Sequence, residues 1–574
     1  MANHLGGNLM FTARLNGAQQ VPAITTTANG VAGFTFNENR DSLWLNVNLT
    51  GLSGAITGIH IHEAAVGVNG PVIVDLATYL TGTTVKGVLT GSAITKAFIS
   101  KMLQGTYYLN VHTAANAGGE IRGQIMLETD WAFTANLTGA QQVPPVTTTA
   151  QGLATFNLSK HDGVLKFNAV VDGLSGAITG VHLHSGAIGA SGSVVLDLMP
   201  FLSGNTISGQ ADPTTFLAAL KSGGIYINVH TAANPGGEIR GQLMLTNGVN
   251  FDADFTGSQQ VPPITTNARA VASVKLNTTF DTLFYDVMSN GLSGAITSAH
   301  FHNGELGVAG GVAVDIGSGI NGKRITGFVT GTSLTNTLIV NLLSGKNYIN
   351  LHTAANAGGE IRGQVYKVAR EGYNIMMDGL QQVPVVVSIA KGGGIVTIDR
   401  DRTNVHYMLA VSNITMTSSH FHAGAKGQSG PVVYALTFTD NGSYGYWKST
   451  DMTPFTSTVA RQFAGDSIYV NIHTALNAGG EIRGQVTRDN SAKSSVGITK
   501  KQVMTSNVEL YPNPVVSTLY LNGVYEFKII DRLGRTVIES MKAEKVDISA
   551  LPAGVYNILI MEDGIMKAKS FLKN

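Results

Sequence analysis

Twelve of the fifteen histidines in this 574-residue chain fall into one repeated pattern. An H-x-H pair stands at His60/His62, His182/His184, His300/His302 and His420/His422, and a third histidine follows 46 to 51 residues later, at His112, His230, His352 and His473. On a β-strand, residues i and i+2 face the same way, so each pair projects two imidazoles from one surface at roughly 6–7 Å between Cβ atoms. That spacing lets both rings reach one ion at metal–nitrogen distances of about 2.0–2.1 Å, and the third ring completes a three-imidazole site. Imidazole suits copper, zinc, iron or nickel better than calcium or magnesium. The alternative for the same residues is a structural one, with rings that cap turns and satisfy buried backbone groups.

The elements that position these histidines repeat with them. GAQQVP at Gly17 and Gly139 recurs as GSQQVP at Gly257 and GLQQVP at Gly379. GEIRGQ closes each unit, with its arginine at Arg122, Arg240, Arg362 and Arg483. A period of about 120 residues is that of a whole domain rather than of a solenoid repeat. The boundaries read as 8–127, 128–246, 247–368 and 369–488, followed by a polar, aperiodic linker over 489–506 and an unrelated unit over 507–574. No flexible spacer separates the four copies, which predicts a stiff rod.

Within a unit, short alternating β-branched runs such as Leu43–Leu49 and Gly70–Leu76, bounded by Gly, Asn and Thr, predict a β-sandwich or barrel. One helix per unit is expected. In the second unit Asp212 is the expected N-cap, with Pro213 in the first turn, an apolar stripe at Phe216, Leu217 and Leu220, and a stop at Gly223-Gly224; the first unit repeats the plan from Thr95 to Gly105. The next strand carries Tyr108, Asn110 and His112 on one face. Glu120 and Arg122 read as a structural ion pair at a strand end. Asp75, Asp197 and Asp315 recur, but Ala435 replaces them in the fourth unit, so they are not expected as obligatory ligands.

Composition excludes much else. There is no cysteine, hence no disulfide, thiolate-bound zinc, iron–sulfur cluster or cysteine nucleophile. Only 13% of residues are charged and the net charge is +1, which offers no field for nucleic acid. No apolar run is long enough for a transmembrane helix, and the polar start Met1-Ala2-Asn3-His4 shows no export signal core. No Ser-His-Asp order, P-loop, paired-carboxylate signature or dinucleotide fingerprint occurs. No general base or nucleophile accompanies the histidines in every unit, which favours binding over catalysis.

His60-Ile-His62, Gly70-Pro-Val-Ile73, Tyr108-Leu-Asn-Val-His112-Thr and Gly119-Glu-Ile-Arg-Gly-Gln124 resemble the CHRD (chordin-type) domain, and all four units carry the set. The resemblance implies tandem immunoglobulin-like β-sandwich (barrel) domains of a kind found in animal chordins and bacterial secreted proteins. The H-x-H strand is also similar to the copper-ligand strand of copper-zinc superoxide dismutase, although that enzyme uses further histidines and a zinc-bound carboxylate. The C-terminal motifs Leu510-Tyr-Pro-Asn-Pro514, Ile530-Asp-Arg-Leu-Gly-Arg535 and Asp547-Ile-Ser-Ala-Leu-Pro-Ala-Gly-Val-Tyr556, with Lys569-Ser-Phe571 at the end, resemble the type A sorting domain of the type IX secretion system of Bacteroidetes-type bacteria. It implies a further small β-sandwich, the secretion machinery as partner through residues 507–574, and surface lipopolysaccharide as an attachment point after processing. The expectation is a secreted or surface-displayed binding or structural protein, with up to one copper or zinc ion per unit. The alternatives are a dismutase-like copper or zinc enzyme and an adhesive or filament subunit.

Overall fold

The structure is a computed structural model that describes residues 7–439, 441–488, 510–530, 536–562 and 565–574. The expected linker at 489–506 and the 531–535 part of the tail motif lie outside the described residues. The chain divides into two compact bodies, one holding all four repeats and one holding the tail.

The first unit sets the plan. Its strands are β1 (Leu9–Asn16), β2 (Asn29–Phe36), β3 (Ser42–Thr50), β4 (Ile56–Glu63), β5 (Val72–Asp75), β6 (Leu80–Thr81), β7 (Thr84–Thr90), β8 (Tyr107–Thr113), β9 (Asn116–Gln124) and β10 (Met126–Leu127). They pair antiparallel in the order β5-β4-β8-β9-β1-β2-β3-β7-β6. The sheet is two half-sheets in effect, because β9 meets β1 at the single pair Asn16↔Arg122. In the third unit that junction thins to a bridge between Thr256 and Arg362, and the sheet separates into a 4-stranded and a 6-stranded part. The GEIRGQ arginine therefore marks the fold line of each unit.

Strand alternation sorts the side chains. Ile59 and Ile61 of β4 and Tyr107, Leu109 and Val111 of β8 point into the core beside Phe11, Phe34 and Phe36. The histidines fall on the opposite face. Helix α1 (Lys96–Leu103) lies between β7 and β8, capped by the Thr95 hydroxyl, which accepts from the Phe98 N–H at 3.0 Å. The second unit departs from expectation here. Its helix spans only Leu217–Lys221 with Phe216 at the cap. Asp212 instead accepts from the Thr214 N–H and hydroxyl, which closes a separate turn upstream.

The four units do not form a rod. Core residues of the first and third units belong to one continuous cluster. Met10 and Val31 of the first unit pack on Ile395, Met408 and Ala410 of the fourth, and Leu153 and Val170 of the second on Val271 and Met288 of the third. These are outward-facing strand residues that a lone sandwich would leave in water, and burying them drives the units together. At the centre Glu128, fully buried, accepts from Thr12 at 2.5 Å, from Thr397 at 2.9 Å and from Lys160, with His406 at 3.4 Å and Arg370 at 3.9 Å. Arg400 of the fourth unit grips Asp252 of the third with two bonds at 2.6 and 2.9 Å.

The tail body is a five-stranded antiparallel sheet. Leu519, Leu521, Phe527, Ile529, Ile558, Ile560 and Phe571 form its core.

Candidate metal centre

The register of β4, β5 and β8 assembles each site. His60 lies opposite Asn110, His62 opposite Tyr108, and Gly58 opposite His112. The three rings meet with centroids 5.8, 5.0 and 6.2 Å apart. The same convergence joins His182, His184 and His230, then His300, His302 and His352, then His420, His422 and His473, with the donor nitrogens of each group all within 4.8 Å of one another. All twelve expected residues thus come together in threes. Of the other three histidines, His4 is outside the described residues, His406 lies against Glu128, and His161 packs at a tilt on Tyr446.

Backbone carbonyls set the orientation of two rings in each unit. His62 Nδ1 donates to the Gly70 carbonyl at 2.9 Å, and His112 Nδ1 donates to the Ala117 carbonyl at 2.9 Å. The equivalents are Gly192 and Pro235, Gly310 and Ala357, and Gly430 and Ala478, all at 2.9–3.0 Å. A nitrogen that donates to a carbonyl holds the ring proton, so Nε2 is left with its lone pair toward the centre of the group. The first ring turns the other way. Its Nδ1 faces the third ring's Nε2, at 3.3 Å in His182–His230, 3.2 Å in His300–His352 and 3.3 Å in His420–His473. Two nitrogens on one tetrahedral ion at about 2.0–2.1 Å stand about 3.3 Å apart.

The Nε2 atoms of His62, His184, His302 and His422 are buried with no hydrogen-bond partner. A polar atom in that state costs about 1–3 kcal/mol unless something occupies it. The donor set of one Nδ1 and two Nε2 atoms, with no thiolate, fits a borderline transition ion such as copper or zinc. Burial lowers the His62 pKa from its usual value, against the Gly70 hydrogen bond, and the neighbouring His60, His112 and Arg122 lower it further. His184, His302 and His422 are lowered from the same first cause. Neutral rings are the form that binds metal.

A stack supports the second ring. His62 lies on Tyr108 with centroids 4.9 Å apart, and the Arg122 guanidinium covers the other face of Tyr108 at 3.4 Å. The triple layer recurs as His184–Tyr226–Arg240, His302–Tyr348–Arg362 and His422–Tyr469–Arg483. Glu120 and Arg122 are not the pair expected from sequence. Arg122 donates to the Ala65 carbonyl at 3.2 Å and to Asn69 at 3.3 Å, while Glu120 takes bonds from Ser53, Thr113 and Thr26 at 2.6, 2.7 and 2.9 Å. The charge of Glu120 is met by hydroxyls beside the third histidine's strand, which spares Arg122 for the stack. Gln20 of the GAQQVP turn donates to Asn110 at 2.6 Å, tying that turn to the same strand.

Gly70 was not singled out by sequence reasoning as a site residue. A Cβ there would stand 1.8 Å from the Glu63 carbonyl oxygen, and 1.4–1.6 Å from the corresponding oxygen at Gly192, Gly310 and Gly430. The signal for it was present: a glycine eight residues after the second histidine in every unit.

The CHRD domain profile matches residues 11–125, 133–243, 251–365 and 373–486. The chain belongs to the CHRD domain family. The secretion system C-terminal sorting domain profile matches residues 509–574, which marks the protein as secreted or held at the cell surface and as a client of the type IX system. The chain is similar to Chordin of Danio rerio, 28% identical over 260 residues that make up 42% of this chain and 26% of that one. It is also similar to Chordin of Xenopus laevis, 33% identical over 162 residues, 25% of this chain and 17% of that one. The chain thus spans about a quarter or less of the length of these relatives. Four N-terminal Ig domains of Dscam1 isoform 4.4 align at 8% identity over 72% of this chain and 94% of that one, with a TM-score of 0.10, too low to carry any argument. No helix among the described residues is long and apolar enough to cross a membrane.

Proposed function

We propose that this secreted CHRD protein binds transition metal ions, copper or zinc, at one three-histidine site per CHRD domain. The observation that carries the reading is the unpartnered, buried Nε2 of the second histidine, repeated in four units and aimed among two further imidazoles. His60, His62 and His112 hold the ion in the first unit, and the corresponding residues hold it in the others. A bound ion would supply Lewis acidity, and copper also electron exchange. The chain's own contribution is to fix tautomers through the Gly70 and Ala117 carbonyls and to brace one ligand on Tyr108.

The function is one of binding rather than turnover. Three histidines leave a coordination position open, but the surrounding side chains, Tyr108, Asn110 and Arg122, are committed to stacking and hydrogen bonds. Metal analysis of the loaded chain tests the reading. Four ions per chain are expected, falling by one for each of His62→Ala, His184→Ala, His302→Ala and His422→Ala. A wild-type chain that takes up no copper or zinc at micromolar concentration refutes it. A dismutase or oxidase assay on the loaded protein distinguishes the enzyme alternative, and loss of surface display on removal of residues 507–574 checks the sorting role.

A further inference from the structure

We propose that the four sites are unequal, and that the residue opposite the first histidine on the edge strand sets the difference: a carboxylate makes three sites tight, and Ala435 makes the fourth weak. The inference rests on the metal-binding reading above.

The pairing of β4 with β5 places His60 directly opposite Asp75. The same register sets His182 opposite Asp197, His300 opposite Asp315 and His420 opposite Ala435. Of the three rings in a site, the first is the one without a backbone carbonyl to fix its proton; the second and third have theirs. Its Nδ1 faces the ligand centre, so its proton must reside on Nε2 for it to ligate. That is where the carboxylate stands in the first two units, with His60 Nε2 4.0 Å from Asp75 Oδ1 and His182 Nε2 3.9 Å from Asp197 Oδ1, and the third unit places Asp315 at the same register position opposite His300. The carboxylate is itself held, because Oδ1 accepts the N–H two residues on, from Ala77 at 2.8 Å, Met199 at 2.9 Å and Gly317 at 2.7 Å. A fixed negative charge on the proton-bearing side of a ligating imidazole favours the ligating tautomer and makes the ring a stronger donor as it approaches a cation. Losing such a partner typically costs 10–100-fold in metal affinity. In the fourth unit a methyl group occupies the position, and His420 lacks this support. The aspartates are positioning residues and do not ligate.

Competition of the full chain against a chromophoric chelator, with zinc alone as the probe, reads the affinities. The wild type is expected to show three tight steps and one about 10–100-fold weaker. His420→Ala should remove the weak step and His60→Ala a tight one. Ala435→Asp should convert the weak site to a tight one. Asp75→Asn, which keeps an oxygen for the Ala77 N–H, should weaken one tight site while leaving the metal-free melting temperature unchanged. Four equal steps in the wild type, or an unchanged weak step in Ala435→Asp, overturns the inference and leaves metal binding standing. No uptake at all overturns both.

Discussion

The Gly70 carbonyl accepts the Nδ1 proton of His62 at 2.9 Å, and only glycine fits where that carbonyl is presented. Replacing Gly70 with alanine forces a Cβ against the Glu63 carbonyl. The turn must shift, at about 1–3 kcal/mol, and His62 loses its fixed tautomer. Metal stoichiometry should fall from four to three, with the melting temperature lowered and the other three sites intact. An alanine variant that loads four ions would show that the turn does not orient the ligand.

Glu128 joins segments far apart in the chain, since Thr12, Lys160, Arg370 and Thr397 all close on it. Burial pushes its pKa up, but Lys160, His406 and Arg370 outweigh that and hold it well below the usual value. Glu128→Ala takes the carboxylate from half-buried Lys160 and leaves buried Arg370 with Asp130 as its acidic partner, at about 3–5 kcal/mol. Urea unfolding should shift to lower midpoint, and small-angle scattering should report a more extended four-domain body.

Acid should undo the units through the GEIRGQ glutamates. Burial raises the Glu238 pKa, but hydrogen bonds from Ser175, Thr231 and Thr148 outweigh it and hold the group at about 2. A carboxyl group with a depressed folded-state pKa stabilises the fold above its unfolded value and loses that contribution as pH falls. Stability should therefore decline between about pH 4.5 and 2. Glu120, Glu360 and Glu481 are shifted in the same direction. Circular dichroism against pH measures the decline, and Glu238→Gln should reduce it in the second unit.

Metal should stabilise each unit. With free metal at 100 times the dissociation constant the gain is about 2.7 kcal/mol per site, which a chelator removes. Because burial lowers the His62, His184, His302 and His422 pKa values below the usual 6.5, protons displace metal only in more acidic solution. Loading should fall as the solution is acidified, as equilibrium dialysis across pH would show.

The repeat, the β class and the twelve candidate histidines are legible in the sequence, because the signal for each is local. A period of two puts His60 and His62 on one face whatever the rest of the chain does. The rest depends on contacts between segments distant in the chain. Glu120 and Arg122 share a strand, and nothing nearby in sequence reveals that one answers to Ser53 and the other to Tyr108. The expected rod gave way to a closed body because Val31 meets Ile395 and Val170 meets Met288 across different units. The tautomers likewise depend on carbonyls presented by turns. Such contacts are made between surfaces, and surfaces exist only once the strands have paired.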